Sequence, residues 1–256
     1  MLLAIDIDNK FTSFGVFDEE GLIANFNFKT DQDKTVDELN LLIKLMLNEY
    51  NIYFIDIDDI IISTVVPEMA YTFEKIAVNI TGKKPILISS GVKTGLNIKC
   101  ENPKDVGSDR IIRAVGVNNF ENDLIIISAA TITTIDFINS QNQFMGGVIL
   151  PGIDLYAKSL NEQSARLPKV EILKSNEVLG NSTKKAIQNG IYHSYNFSIN
   201  GIIDRIVIQN KLKVDKLKII LTGPFADILN IENYNFEIIE NLGLYGLQKI
   251  YKDRKS

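Results

Sequence analysis

The chain has 256 residues, 45% hydrophobic, with 27 Lys and Arg against 32 Asp and Glu, one His and one Cys. That length buries a sizeable core in one large domain or two smaller ones. A net charge of -5, with no basic cluster interleaved with aromatics, excludes nucleic acid as the primary ligand. The lone Cys100 excludes an intrachain disulfide and a cysteine metal cluster. No apolar run approaches the ~20 residues needed to cross a bilayer. Met1 to Ala4 lead into Asp6 and Asp8 without a basic segment, so a cytoplasmic protein without membrane partners is expected.

Leu2–Ile7 is a continuous apolar run, Thr12–Phe17 alternates, and Leu22–Phe28 follows the turn Asp18-Glu19-Glu20-Gly21, so three short strands open the chain. Val36, Leu39, Leu42, Ile43, Met46, Leu47 and Tyr50 recur at helical spacing after Thr35, which marks a helix start. A strand over Ile60–Val66 ends at Pro67, and a helix around Glu68–Thr81 and a strand at Pro85–Ser89 follow. A loop then runs to Asn102-Pro103, and a helix runs from near Gly107-Ser108 to Asn118.

The second half repeats this order. Strands are expected near Leu124–Ser128, Thr133–Ile138 and Phe144–Leu150, then a helix from Ile153 to Asn161. The less regular Gln163–Asn181 leads into a long helix, Thr183–Gln209. A strand at Lys218–Thr222, a turn at Gly223-Pro224, a short helix, a strand at Phe236–Glu240 and a helix over Leu242–Tyr251 complete the chain. Laying Ile5 to Lys10 over Ile127 to Ile132 aligns the two opening hairpins. The pattern therefore predicts an α/β protein of two duplicated lobes, residues 1–120 and 121–256, facing each other across a cleft.

Leu124–Gly152 reads as a phosphate-holding hairpin: a buried strand, a small hydroxyl-rich turn at Ala129–Thr134, then glycines that let backbone approach closely. Asp6 ends the corresponding first strand, where a carboxylate is costly unless a cation, a donor or water satisfies it. Magnesium binding and simple turn capping both account for it. Lys10 reads either as a point charge for phosphate or as a solvated surface lysine. Gly107-Ser108-Asp109-Arg110 opens a helix, where free N–H groups and the dipole favour an anion. Asp109 is there either a helix-stabilising acid or a general base, with Arg110 as anion clamp. His193 lies mid-helix without a Ser, Cys or carboxylate partner, and no Walker loop, dinucleotide fingerprint or zinc spacing occurs.

These motifs, in order, resemble the type III pantothenate kinases of the actin-like ATPase superfamily. The resemblance rests on Ile5-Asp6-Ile7-Asp8-Asn9, Ser63-Thr64-Val65-Val66-Pro67, Asn102-Pro103 with Val106 to Arg110, and Thr131 to Asp136. It continues through Gly146 to Gly152, Ala165 to Pro168, Gly180 with Thr183, Thr222-Gly223 and Leu244 to Leu247. It implies two actin-like (ribonuclease H-like) lobes, and transfer of the ATP γ-phosphoryl group to the primary hydroxyl of pantothenate at the start of coenzyme A synthesis. It also implies a homodimer that uses Mg2+ and a monovalent cation, K+ or NH4+. Position by position, Asp6 and Asn9 match the first phosphate and metal loop, with Lys10 beside them, and Thr131 and Thr133 the second. Asp109 matches the catalytic base, Gly107 and Arg110 match substrate contacts, and Thr183 matches a residue that reaches the substrate from the partner subunit.

The chain departs from the family pattern at both loops. Asp8 and Lys10 stand for Gly and Thr, and Ser128 and Ala130 for the Asp and Gly of the second loop. Cys100 stands for a pocket tyrosine and Pro224 for a second turn glycine. Losing the carboxylate at Ser128 implies weakened or absent monovalent-cation dependence, and Lys10 is the expected offset to Asp8. A second reading of the same changes is a catalytically impaired paralogue acting as a regulatory or binding protein. An acetate- or sugar-kinase relative ranks last, because the Gly107–Arg110 and Gly146–Gly152 motifs argue for the first family.

Overall fold

A computed structural model describes residues 1–88, 94–117, 122–164 and 166–255. The expected strand end at Ser89, the helix end at Asn118 and Ala165 of the Ala165–Pro168 motif lie outside the described residues. Two compact units form: Met1–Leu96, Cys100–Asn118 and Leu242–Ser256 make the first, Asn97–Lys99 and Asn119–Asn241 the second. The closing helix, expected in the lobe 121–256, thus packs into the first unit.

The first unit opens with strands β1 (Leu2–Ile7), β2 (Phe11–Phe17) and β3 (Leu22–Lys29) and helix α1 (Val36–Glu49). Thr35 caps α1 with a reciprocal capping box to Glu38. β4 (Asp59–Thr64), α2 (Pro67–Thr81) and β5 (Ile86–Ile88) follow. Pro67 opens α2, because a proline at the first helical position loses no helical hydrogen bond. The two-residue β6 (Asn97–Ile98), which sequence periodicity does not reveal, belongs to the second unit's sheet, and α3 (Ser108–Gly116) returns to the first.

The second unit continues with β7 (Asp123–Ala129), β8 (Ile132–Asn139), β9 (Gln143–Pro151), α4 (Ile153–Gln163), the 28-residue α5 (Thr183–Asn210), β10 (Leu217–Thr222) and β11 (Phe236–Ile238). Helix α6 (Leu242–Lys255) closes the chain. Among the described residues no helix is long and apolar enough to cross a membrane.

Duplication is visible in the sheets. The first has the order β3-β2-β1-β4-β5 and the second β11-β10-β7-β8-β9-β6. In each, an antiparallel three-strand meander is extended on its first strand by two parallel strands. Asp6 pairs in register with Ser13 and Ser63, and Ser128 with Thr134 and Thr222, so Asp6 and Ser128 are equivalent positions.

Strand alternation directs each face of β1. Leu3, Ile5 and Ile7 pack with Leu39, Ile43 and Leu47 of α1 and Phe73 and Ile76 of α2. Leu2 and Ala4 pack the other way, with Ile112 and Val115 of α3 and Leu244, Leu247 and Ile250 of α6. Asp6 shares the parity of Leu2 and Ala4. In the second unit Ile125, Ile127 and Ala129 pack with Ile191, Tyr195, Ile199 and Ile203 of α5.

Helices α3 and α6 cross backbone to backbone. A Cβ built at Gly246 would stand 1.8 Å from the Ile112 carbonyl oxygen, and one at Gly116 2.4 Å from that of Leu242. No side chain yields there, so the backbones themselves would have to part. Gly246→Ala is expected to lower the free energy of unfolding by about 3 kcal/mol, the upper range for overpacking a tight interior, as measured by urea denaturation.

Candidate active site

Four charged side chains meet in the first unit where β1, the turn after it and α3 converge. Asp6 ends β1 on the α3/α6 face, and its Oδ1 is buried without a hydrogen-bond partner. Gly243, at the start of α6, lies against it: a Cβ there would be 2.6 Å from Asp6 Oδ2. Asp8 follows in a turn closed by its N–H to the Phe11 carbonyl (3.0 Å) and braced by the Thr30 hydroxyl, which donates to the Asp8 carbonyl (2.6 Å).

Helix α3 supplies the other two. It begins without a side-chain cap at Gly107 and is anchored to β4 instead. The Ser63 hydroxyl donates to Ser108 Oγ (3.1 Å), which donates to the Thr64 carbonyl (3.0 Å). Asp109 in the first turn and Arg113 one turn later then face the same side. Arg113 is only 7% exposed. Its guanidinium donates to Asp109 Oδ2 at 2.8 Å and forms an ion pair with Asp8 Oδ2 at 3.5 Å.

This arrangement sets the protonation of the group. Burial, then the neighbouring charge of Asp8, push the Asp6 carboxyl up to about 7, with Arg113 and the Ser63 hydroxyl pulling down and Asp109 pushing up. Burial likewise raises Asp8 against the pull of Arg113. Burial alone would lower Arg113, but Asp109, Asp8 and Asp6 hold it above its ordinary value. The site is therefore a carboxylate cluster with one buried guanidinium and one orphaned carboxylate oxygen, suited to a cation and to a proton transfer at Asp109.

The second unit's hairpin is built differently. Its tip, Ala129–Thr131, is gripped by backbone: Gly152 N–H donates to the Thr131 carbonyl (2.9 Å) and Phe225 N–H to that of Ala129 (3.0 Å). A Cβ at Gly152 would stand 1.9 Å from the Ala130 carbonyl oxygen, and one at Gly223 2.6 Å from that of Ala129. Ser128, Thr134 and Thr222 form a buried hydroxyl patch with Asp136, to which the Thr134 hydroxyl donates at 3.3 Å. Beside α5, a groove of about 780 Å³ is lined by Tyr156, Leu160, Leu167, Thr183, Ile187 and Ile191.

With this geometry in view, the sequence model of the type III pantothenate kinase family matches residues 2–205. A type III pantothenate kinase of Geobacillus sp. (strain WCH70) is 37% identical over 98% of this chain and 97% of its own. The chain belongs to the type III pantothenate kinases. Solved structures of similar fold include a Campylobacter jejuni protein described as a Baf family transcriptional activator (TM-score 0.62, 20% identity, 99% of this chain and 98% of that one). Component A of the (R)-2-hydroxyglutaryl-CoA dehydratase of Acidaminococcus fermentans is another (TM-score 0.57, 12% identity, 100% and 99% covered). At these identities both show the fold alone, and that fold is the two-lobed α/β architecture expected for the family.

Against the sequence expectations, Asp6, Gly107 and Asp109 come together in the first unit. Asn9 is exposed at the neighbouring turn, and Lys10 Nζ lies 5.5 Å from the centroid of the Phe11 ring. Arg110 sits half-buried one residue past Asp109. Thr131 lies at the second hairpin tip, whereas Thr133 points into the core. It is fully buried on the α5 side of the sheet, sharing a 2.6 Å hydrogen bond with the Tyr195 hydroxyl. Strand parity sends it into the core with Ile135. Burial pushes the Tyr195 phenol up to about 12. Thr183 opens α5, with Ser182 as its cap. Arg113 was missed, although its spacing of four from Asp109 on a helix was a readable signal.

Because the Asp6 carboxyl rises from 3.8 to about 7 on folding, the folded state holds the proton more tightly than the unfolded state. Its contribution is therefore favourable below pH ~4 and is lost as pH rises towards ~7. Without magnesium, Asp6→Asn is expected to be more stable than wild type at pH 8 and to lose this advantage by pH 4. Unfolding midpoints followed across pH check it.

Proposed function

We propose that the chain phosphorylates pantothenate with ATP to give 4'-phosphopantothenate, with Asp109 as the base. The observation that carries this is the match to the family over nearly the whole chain, joined to an Asp109 held by Arg113 at the α3 N-terminus. Arg113 takes Oδ2, so Oδ1 is the oxygen that would receive the proton of the substrate's primary hydroxyl. Gly107 leaves room beside it, since a Cβ there would stand 2.5 Å from Asp109 Oδ1. Arg110 would clamp substrate. Phosphoryl transfer has a loose transition state, so positioning and charge neutralisation carry most of the acceleration.

Asp6, with its buried and unpartnered Oδ1, fits a magnesium ion, and Asp8 stands beside it. Among the described residues no three His, Cys, Asp or Glu side chains form a protein-only metal site. Magnesium is commonly held by one or two carboxylates together with substrate phosphates. Bound magnesium would neutralise phosphate oxygens. Asn9, Lys10 and Thr131 are the remaining phosphate-loop residues of this reading. Ser128 offers only a neutral hydroxyl where the family carries a carboxylate, which supports turnover without a monovalent cation.

A homodimer is part of the same reading, with Thr183 reaching the partner's substrate. The groove beside Thr183 and the apolar Leu179, which is 88% exposed, support it. The likeness to a transcriptional activator is one of fold alone and lends the regulatory reading no support.

In a coupled ADP-release assay with pantothenate and magnesium, Asp109→Asn is expected to lower kcat at least ~100-fold, about 3 kcal/mol of transition-state stabilisation. Turnover no higher in wild type than in this variant overturns the kinase reading. Replacing potassium by tetramethylammonium in the same assay is expected to change turnover by less than about threefold; strict dependence on K+ or NH4+ overturns the role given to Ser128.

A further inference from the structure

Asp8 adds a carboxylate beside a site that must hold phosphates, and the sequence offers Lys10 as its counter-charge. The structure answers with a residue 105 positions away, the separation between Asp8 and Arg113. Arg113 is the one buried cation among the described residues. Its side chain is 9% exposed, against 36% for Asp8 and 15% for Asp109. One nitrogen meets Asp109 at 2.8 Å and the other meets Asp8 at 3.5 Å. The planar fork presents two donor edges at a fixed angle, so holding one carboxylate fixes where the second must lie.

We propose that Arg113 is a positioning residue: it is the shared counter-charge that tolerates Asp8 in the first loop and, by gripping Oδ2, aims Asp109 at the substrate hydroxyl. The aiming role rests on the kinase reading above; the counter-charge role does not. Removing the guanidinium would leave two carboxylates, with Asp6 nearby, facing one another in a poorly solvated place. Stability would suffer through Asp8 and catalysis through Asp109. These are separable, because only the first is relieved by deleting Asp8.

The test compares wild type with Arg113→Met, Arg113→Lys, Asp8→Gly and the double variant Asp8→Gly/Arg113→Met, by thermal unfolding and by ADP release. Arg113→Met is expected to lower Tm by about 6 °C or more, as loss of one partner from a buried ion pair does. Adding Asp8→Gly should recover at least about half of that loss. Arg113→Met should also lower kcat about 100-fold with the pantothenate KM within about threefold, and Asp8→Gly should not restore kcat. Arg113→Lys should keep most of Tm but recover only about a tenth of kcat, since a point charge cannot fork two carboxylates.

Additive Tm effects of the Asp8 and Arg113 changes, or a wild-type Tm in Arg113→Met, overturn the counter-charge. A loss expressed in KM alone, or a kcat restored by Asp8→Gly, overturns the aiming of Asp109. Wild type without turnover overturns the kinase reading and the aiming role with it, while the Tm cycle still decides the counter-charge.

Discussion

Burial of the Asp6 carboxylate is the constraint around which the first unit is arranged. Alternation along β1 sends Leu3, Ile5 and Ile7 into the α1 and α2 core and leaves Asp6 on the face shared with α3 and α6. An acid in that place costs free energy unless something meets its charge. The surroundings supply part of the answer: Ser63 on the paired strand, Arg113 within electrostatic reach, and a glycine where α6 passes. One oxygen remains unsatisfied, and that remainder suits a cation-assisted phosphoryl transfer. The backbone crossing of α3 and α6 at Gly246 brings these helices close enough for the arrangement to exist.

The duplicated sheets show how one plan serves two kinds of chemistry. Asp6 and Ser128 occupy equivalent places, each opposite a serine or threonine on both neighbouring strands. The first unit surrounds its position with Asp8, Asp109 and Arg113. The second surrounds its own with hydroxyls and the buried Asp136, and shapes the hairpin tip by backbone contacts at Gly152 and Gly223. Changes at both loops therefore need not signal a lost function. On the first side the added Asp8 is met by Arg113, and on the second Ser128 is paired in register with the hydroxyl residues Thr134 and Thr222.

Much of this was legible in the chain. Period-two and period-3.6 patterns located nearly every element, because burial on one face imposes them regardless of partner. The two hairpins revealed the duplication, and the Gly107–Arg110 motif marked the start of α3. Other features were not legible. The pairing of Asp8 with Arg113 joins distant segments. Thr133 turned into the core because its strand parity opposes that of Ser128 and Thr134. Short β6 had too few residues to show a period.

The sequence by itself determined the family, the α/β class, the doubled order of elements and the candidate base Asp109, since ordered motifs and periodic burial are local properties. Only the tertiary structure decided that α6 joins the first unit, that Thr133 is spent on Tyr195, and that Arg113 balances Asp8 and Asp109. The physical reason is the same in each case. Which charges and hydroxyls satisfy one another depends on distances between segments far apart in the chain, and those distances exist only once the sheet and its helices have packed.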